Sequence, residues 1–255
     1  MIGSCRLAVL QVAAAASLLV LWALANRLGL ATAILPPVAD VAREFIGVWA
    51  RSEFVTAFGA TVFDAARGLL IAAILAVPLG VLIGMMPRLE LATRMLVDFG
   101  RSFPVIALLP ILVLLLGATA AMKVVAIAIA CFFPILLQSI YGARRLEPTI
   151  VDTVRSFRIP AHLRFFKVLL PAAGPFIATG LRIATTVSIL VSVGVEIVSL
   201  TPGLGREIAL SRSYNETATT FAYIIYAGLL GVVITLLWDL AEARVLRWHI
   251  RAKVE

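Results

Sequence analysis

Long apolar runs alternate with short polar segments along the whole chain. Six runs approach or exceed roughly 20 residues, the length at which a helix crosses a bilayer. They predict membrane spans at residues 7–25, 58–86, 102–116, 124–141, 171–200 and 220–240. Because the runs are continuously apolar and do not alternate at every second residue, they indicate helices and not the strands of a barrel.

The third predicted span, 102–116, is the shortest of the six. It can be extended through residues 91–99, although Arg94, Asp98 and Arg101 place that part at the membrane interface. Residues 35–53 are predicted to form an amphipathic helix outside the bilayer.

Glycine and proline mark where the spans approach each other or bend. Gly80 and Gly84 have the four-residue spacing that lets membrane helices pack closely. Pro78, Pro104 and Pro134 are positions at which a span can break or bend.

Composition places the chain among integral membrane proteins. Of its 255 residues 62% are hydrophobic and only 14% are charged, and the mean hydropathy is +1.06. Lys and Arg collect in residues 88–101, in the segment 142–168 and near the C-terminus, and Arg6 falls on the same face of the membrane. Both termini and the segment 142–168 are therefore predicted to be cytoplasmic. The net charge of +8 then reflects topology and contact with anionic lipid, and it does not predict nucleic-acid binding.

The first span has a second interpretation. Arg6 followed by an apolar stretch and small residues is also typical of a cleaved signal peptide. Cleavage would leave five spans and would not alter the C-terminal part of the chain.

Residues for catalysis or metal binding are not found in the sequence. His162 and His249 have no Cys or carboxylate neighbours at ligand spacing, so no metal site is predicted. Residues 203–207 contain two glycines but lack the Lys of a phosphate-binding loop. The chain is therefore predicted not to hydrolyse ATP and to hold no cofactor of its own.

The segment 142–168 is a polar island between two apolar runs. Pro148 suits the start of a short helix and Pro160 its end. Ile150, Val154 and Phe157 share one apolar face of that helix, which suits a groove on a partner protein. An interfacial helix lying on anionic lipid has the same pattern.

A resemblance to a known family favours the partner protein. The sequence from Asp152 to Arg182 resembles the cytoplasmic coupling-loop signature of binding-protein-dependent ABC importer permeases. Residues 101–112, 122–138 and 202–208 are similar to segments of the nitrate, sulfonate and taurine branch, and the similarity extends from residue 57 to the C-terminus.

This resemblance implies an all-α type I importer permease with six transmembrane helices in the bacterial inner membrane. Residues 1–56 would form the first helix and the external amphipathic segment, and residues 57–255 a core with five spans. Two permease copies would work with two separate ATP-binding cassette subunits, which bind ATP and Mg. An extracytoplasmic binding protein would dock on residues 35–53 and 201–219 and deliver a small anionic or zwitterionic solute.

The family's coupling contact falls on seven residues of this chain. They are Asp152, Val154, Arg155, Ser156, Phe157, Arg158 and Ile159. The chain departs from the family pattern because Asp replaces Glu at 152 and Arg replaces Gly at 158. Arg158 must therefore either stay helical or adopt a costly positive φ.

The fifth span carries a polar stripe, with residues at intervals of three or four. Its members are Arg182, Thr185, Ser188, Ser192 and Glu196. The stripe predicts either the wall of the solute path or a close contact between helices. Arg182 is about 21 Å from Glu196 along the helix, so it requires another partner, either an anionic solute or Asp64.

The sequence lacks the features of two other classes of membrane protein. An ion-coupled secondary transporter should show paired, broken helices in two halves, and no internal repeat is evident. A membrane-embedded enzyme should cluster catalytic residues at one depth, and the apolar runs contain no such cluster.

Overall fold

Helices make up almost all of the structure. The computed structural model describes residues 2–29, 35–144, 154 and 156–245, and these residues form helices, turns and short connections without a strand. The predicted all-α class is therefore confirmed.

The helix bounds follow the predicted runs closely. The main helices are α1 (Ile2–Arg27), α2 (Val38–Gly47), α3 (Ser52–Met85), α4 (Pro87–Ser102), α5 (Leu109–Leu116), α6 (Ala120–Arg144), α7 (Leu170–Ser199), α8 (Leu204–Ser213) and α9 (Thr217–Val245). A short helix, Ala161–Arg164, and a π-helical turn, Phe165–Leu169, lead directly into α7.

Four described segments are long and apolar enough to cross a membrane. They are Ser52–Met85, Ala120–Arg144, Phe165–Ser199 and Thr217–Glu242, and they match the second, fourth, fifth and sixth predicted spans. The first predicted span lies in α1, of which Ala16–Arg27 is a shorter apolar helix. The chain is thus a multi-pass membrane protein.

The third predicted span is not a straight helix. The chain bends by 85° between Pro87–Ser102 and Val105–Leu116, and the two parts count as a fifth crossing only when taken together. Pro104 causes the bend, because it lacks an N–H group and holds Phe103 in an extended conformation. Pro78 and Pro134, in contrast, lie within continuous helices.

The centre of the bundle is formed by α3, α6 and α7. Small residues allow the close approach of α3 and α6, as their spacing predicts. A Cβ atom on Gly80 would lie 2.5 Å from Cβ of Ser139, and one on Gly84 would lie 2.6 Å from the carbonyl oxygen of Ile140. The helix backbones are therefore in direct contact over this stretch.

The predicted amphipathic segment at residues 35–53 contains α2, a turn of 3₁₀ helix and the start of α3. Helix α2 packs on α9, where the rings of Phe45 and Tyr226 stack at 4.2 Å between centroids. The Tyr226 hydroxyl also donates a hydrogen bond to the carbonyl oxygen of Phe45 over 2.6 Å. Helix α8 lies nearby, within the segment 201–219, and buries Leu204 and Ile208.

Candidate functional site

The predicted coupling segment ends in a left-handed turn. Val154 and Ser156 are helical, and Arg158 has a φ of 48°. The Ile159 N–H group donates to the carbonyl oxygen of Val154 over 3.1 Å, five residues back. This is the Schellman ending of a helix, with Arg158 at the position that usually holds Gly. The positive-φ alternative is thus the one found, at a backbone cost of about 1 kcal/mol.

The side chains of this segment divide into inward and outward sets. Val154 is only 6% exposed and packs within the subunit, whereas Phe157 is 77% exposed. Ser156 and Arg158 are exposed and Ile159 is half-buried. The expectation that Val154 contacts a partner is therefore revised, because its surface is already covered. Asp152 and Arg155 lie outside the described residues.

The polar stripe on α7 faces mainly into the subunit. Thr185, Ser188, Ser192 and Glu196 are buried. The hydroxyl of Thr185 donates to the carbonyl oxygen of Leu181 over 2.7 Å, and that of Ser188 donates to the carbonyl oxygen of Thr185 over 2.8 Å. These two hydroxyls are satisfied by their own helix, so their positions allow neighbouring helices to pack closely.

Arg182 has partners on α9. Its guanidinium forms an ion pair with Asp239 and lies 3.7 Å from the Glu242 carboxylate. The alternative pairing of Arg182 with Asp64 is therefore wrong. The positive charge of Arg182 is therefore balanced by two carboxylates of α9.

Glu196 is the centre of a buried polar network, although α7 carries it in an apolar span. Its side chain is fully buried. It accepts hydrogen bonds from Lys123 Nζ at 3.0 Å, Thr61 Oγ1 at 2.9 Å, Ser192 Oγ at 3.0 Å and the Gly205 N–H at 2.8 Å. Four donors of this kind compensate the desolvation of a carboxylate.

Lys123 joins three helices in this network. Its ammonium nitrogen is fully buried and lies 2.7 Å from Asp64 Oδ2 and 3.0 Å from Glu196 Oε1. A third hydrogen bond, of 2.8 Å, goes to the carbonyl oxygen of Pro202. All three ammonium protons therefore have acceptors. Arg67, 3.4 Å from Asp64, supplies a second positive charge at the edge of the network.

The corner between α7 and α8 closes over Glu196. Gly203 has a φ of 155°, and a Cβ atom there would overlap the Glu196 carboxyl group. The Leu204 N–H donates to Thr61 Oγ1 over 2.9 Å. Together with the bond from Gly205 to Glu196, this satisfies two free N–H groups at the start of α8. A carboxylate at this helix end is also favoured by the helix dipole.

The sequence did not predict this network as a unit. Lys123 falls just before the predicted span 124–141, and the structure places it in the first turn of α6, fully buried. The available signal was Asp64, a carboxylate within an apolar run that requires a cation. Only the fold shows which cation it meets.

No group of three or more potential metal ligands occurs among the described residues. The candidate site regions are thus the predicted coupling segment, with an exposed aromatic side chain, at one end of the bundle and a closed ionic network at the other.

A known family of transport proteins matches most of the chain. The sequence model of the family described as binding-protein-dependent transport system inner membrane component matches residues 76–247. The match includes the segment 154–160, Lys123 and Glu196.

Individual relatives extend over most of the chain. The chain is 27% identical to a protein described as an aliphatic sulfonates transport permease, SsuC of Bacillus subtilis, over 92% of this chain and 85% of that protein. It is 24% identical to the taurine transport permease TauC of Escherichia coli, over 91% and 86%. It is 32% identical to the bicarbonate transport permease CmpB of Synechococcus elongatus, over 73% and 66%.

A solved structure shares the fold. An inward-facing structure of the MetNI methionine ABC transporter matches with a TM-score of 0.64 and 17% identity, over 76% of this chain and 94% of that one. With a family match that covers well over half of its length, the chain belongs to the binding-protein-dependent transport system inner membrane components, the permease subunits of ABC importers.

Proposed function

We propose that this permease subunit moves a small anionic or zwitterionic solute inward across the bacterial inner membrane. An extracytoplasmic binding protein delivers the solute, and a separate ATP-binding cassette subunit, which binds ATP and Mg, drives transport. The relatives named for sulfonates, taurine and bicarbonate support this solute class. The termini and the segment 154–159 lie in the cytoplasm in this proposal, as the distribution of Lys and Arg indicates.

The exposure of Phe157 carries the proposal. A phenylalanine that is 77% exposed beside a buried valine is unfavourable in water, and burial in the groove of a partner protein would remove that cost. The Schellman turn at Arg158 fixes the direction of this side chain, so it is pre-organised for a groove. We assign contact with the cassette to Phe157, Ser156, Arg158 and Ile159, with Asp152 and Arg155 completing the contact.

After the turn at residues 157–160, a helix leads from this contact into the bundle. Arg164 N–H bonds to the carbonyl oxygen of Pro160 over 3.0 Å, and the helix then continues through the π-helical turn into α7. Leu169, at the end of that turn, is buried against Val81 of α3 and Ala143 of α6. Movement of the coupling segment would therefore act on the three central helices together.

The buried network then serves as the fixed point at the other end of α7. We place Thr185, Ser188, Ser192 and Glu196 in contacts between helices, because their polar atoms are buried and bonded within the subunit. Arg182 joins α7 to α9. The solute path itself is expected between this subunit and a second permease copy, with one cassette on each.

The test is to replace Phe157 by Asp in the full chain, expressed with its native cassette and binding protein. We expect a loss of cassette co-purification and of ATP-dependent uptake of about tenfold or more, because a carboxylate cannot enter an apolar groove. The amount of folded permease in the membrane should not change. Tyr214→Asp is the matched control, since Tyr214 is an aromatic residue that is 71% exposed at the other end of the bundle. Equal cassette recovery from the two variants would contradict the proposal.

A further inference from the structure

A polar cavity of about 300 Å³ lies between α4 and α6, apart from the coupling segment and the buried network. Its charged lining consists of Glu90, Arg94, Asp98 and Arg101 from α4 and Arg144 from α6. The four lining residues of α4 recur at intervals of four, four and three, so they form one stripe along the helix.

The remaining surface of α4 is apolar and exposed. Leu91, Met95, Leu96 and Phe99 are between 66% and 83% exposed and lie away from the stripe. An amphipathic helix with this division has its apolar face toward lipid or another subunit and its charged face toward water. The charged side of α4, which faces water, therefore lines the cavity.

The stripe extends to the level of the spanning helices. At one end Glu90 forms an ion pair with Arg144, the last residue of α6. At the other end Gly100 is so close to Phe133 that a Cβ atom on it would overlap the ring. Phe133 and Arg144 are separated by eleven residues, or about 16 Å along α6. Charges at such a depth pair with one another or face a water-filled cavity, and they are frequent along solute pathways.

The cavity has an excess positive charge. Glu90 is paired with Arg144, and Asp98 lies 3.0 Å from Arg101. No described residue forms an ion pair with Arg94, whose side chain is exposed. Three guanidinium groups thus face two carboxylates, and a ligand with one negative charge would balance them. A guanidinium group also offers two parallel N–H donors to an oxyanion.

We propose that this cavity opens into the inner part of the solute path between the two permease copies and that Arg94 recognises the negatively charged group of a small oxyanion. This inference rests on the proposed function and names the place in the permease at which the anionic solute is recognised. It moves anion recognition from Arg182, which is neutralised by Asp239 and Glu242, to α4. The phosphate of an anionic lipid headgroup has the same chemistry, so the experiment must separate the two sources.

The first measurement probes the charge of the cavity directly. Thr93 lines the cavity and is changed to Cys in a full-length chain without Cys5 and Cys131. Its rates of modification by a sulfonate-bearing and a trimethylammonium-bearing methanethiosulfonate reagent are compared. We expect Arg94→Gln to reduce the preference for the negative reagent by about tenfold. Arg88→Gln is the matched control, because Arg88 lies on the exposed side of the same helix. An equal effect of the two changes would overturn the inference.

The second measurement identifies the source of the oxyanion. In phosphatidylcholine bilayers, millimolar ethanesulfonate or bicarbonate should slow modification at position 93 at least threefold, and Arg94→Gln should abolish the protection. Protection by phosphatidylglycerol, with none by either soluble anion, would make the cavity a headgroup site and would overturn solute recognition.

Uptake measurements separate this inference from the proposed function. With the native cassette and binding protein, Arg94→Gln should reduce oxyanion uptake about tenfold while cassette co-purification is unchanged. Normal uptake by this variant would overturn the role of Arg94 in solute recognition and would leave the proposed function unaffected. Failure of the unmodified permease to bind a cassette would instead contradict the proposed function.

Discussion

A residue with a positive φ lies beyond each end of α7, but the two residues have opposite effects on the side chains near them. Beyond its C-terminal end, Gly203 has a positive φ and brings the chain over Glu196, where every polar group finds a partner inside the subunit. Before its N-terminal end, Arg158 has a positive φ and turns the chain so that Phe157 projects outward. One end is complete within the chain, and the other is complete only with a partner.

This difference separates stability from function. Changes in the closed network should lower the free energy of unfolding, because they leave a buried charge without its partner or force buried atoms to overlap. Changes in the exposed segment should alter coupling and leave folding largely intact. Each prediction below applies one of these expectations.

Replacing Lys123 by Met should have the largest effect. It leaves Asp64 and Glu196 buried without their shared cation, which is expected to cost about 3–5 kcal/mol. Thermal unfolding in detergent measures the loss. Lys167→Met makes the same change at an exposed position in the π-helical turn before α7, and this variant should unfold like the unmodified protein. Equal stability of the two variants would show that the network is not a structural anchor.

Replacing Gly203 by Ala should be the next largest change. The added methyl group overlaps the Glu196 carboxyl group, and the φ of 155° is unfavourable for Ala, so a cost of about 2 kcal/mol is expected. Gly231→Ala in α9 is the control, because a Cβ atom there meets no atom within 4 Å. The comparison fails if both variants retain the same unfolding temperature.

Replacing Arg158 by Gly should stabilise the left-handed turn that ends the predicted coupling segment. Glycine adopts the left-handed conformation without the steric cost, so the gain is about 1 kcal/mol. Arg164→Gly should have the opposite sign, because Arg164 is helical with a φ of −57°. Hydrogen exchange of the Ile159 amide reports the local change. A destabilised turn in Arg158→Gly would contradict the assigned backbone.

The smallest effect concerns Glu207 on α8. Burial raises the pKa of this carboxyl group and Glu53 raises it further, whereas Arg206 partly opposes the shift. A raised pKa means that the folded state disfavours the ionised form, so this contribution to stability declines as pH rises through that pKa. Glu207→Gln should therefore gain stability relative to the unmodified protein as pH increases from 4 to 7. A difference in unfolding temperature that does not vary with pH would contradict this assignment.

The sequence predicted the elements well because hydrophobicity is a local property. The runs at 58–86, 124–141, 171–200 and 220–240 correspond to long helices, since an apolar run in a bilayer must satisfy its own backbone. The bend at Pro104 had a local signal as well. Proline alone did not decide the outcome, because Pro78 and Pro134 remain inside helices.

The pattern of apolar and polar residues does not predict which distant residues form ion pairs. The sequence places Glu196 in the polar stripe and offers Asp64 only as a partner for Arg182, whereas Lys123, which the two carboxylates share, falls just before the predicted span 124–141. Arg182 was likewise expected to need a partner, and the structure provides it from α9. The direction of each side chain depends on how helices rotate against one another, which periodicity does not determine.

The most direct test of the central claim is the sidedness of Phe157. In a full-length chain without Cys5 and Cys131, Phe157→Cys is treated with a membrane-impermeant maleimide in right-side-out and inverted vesicles. The account predicts labelling only in inverted vesicles, and protection when the cassette subunit is bound. Labelling from the outside, or labelling that the bound cassette does not reduce, would contradict it.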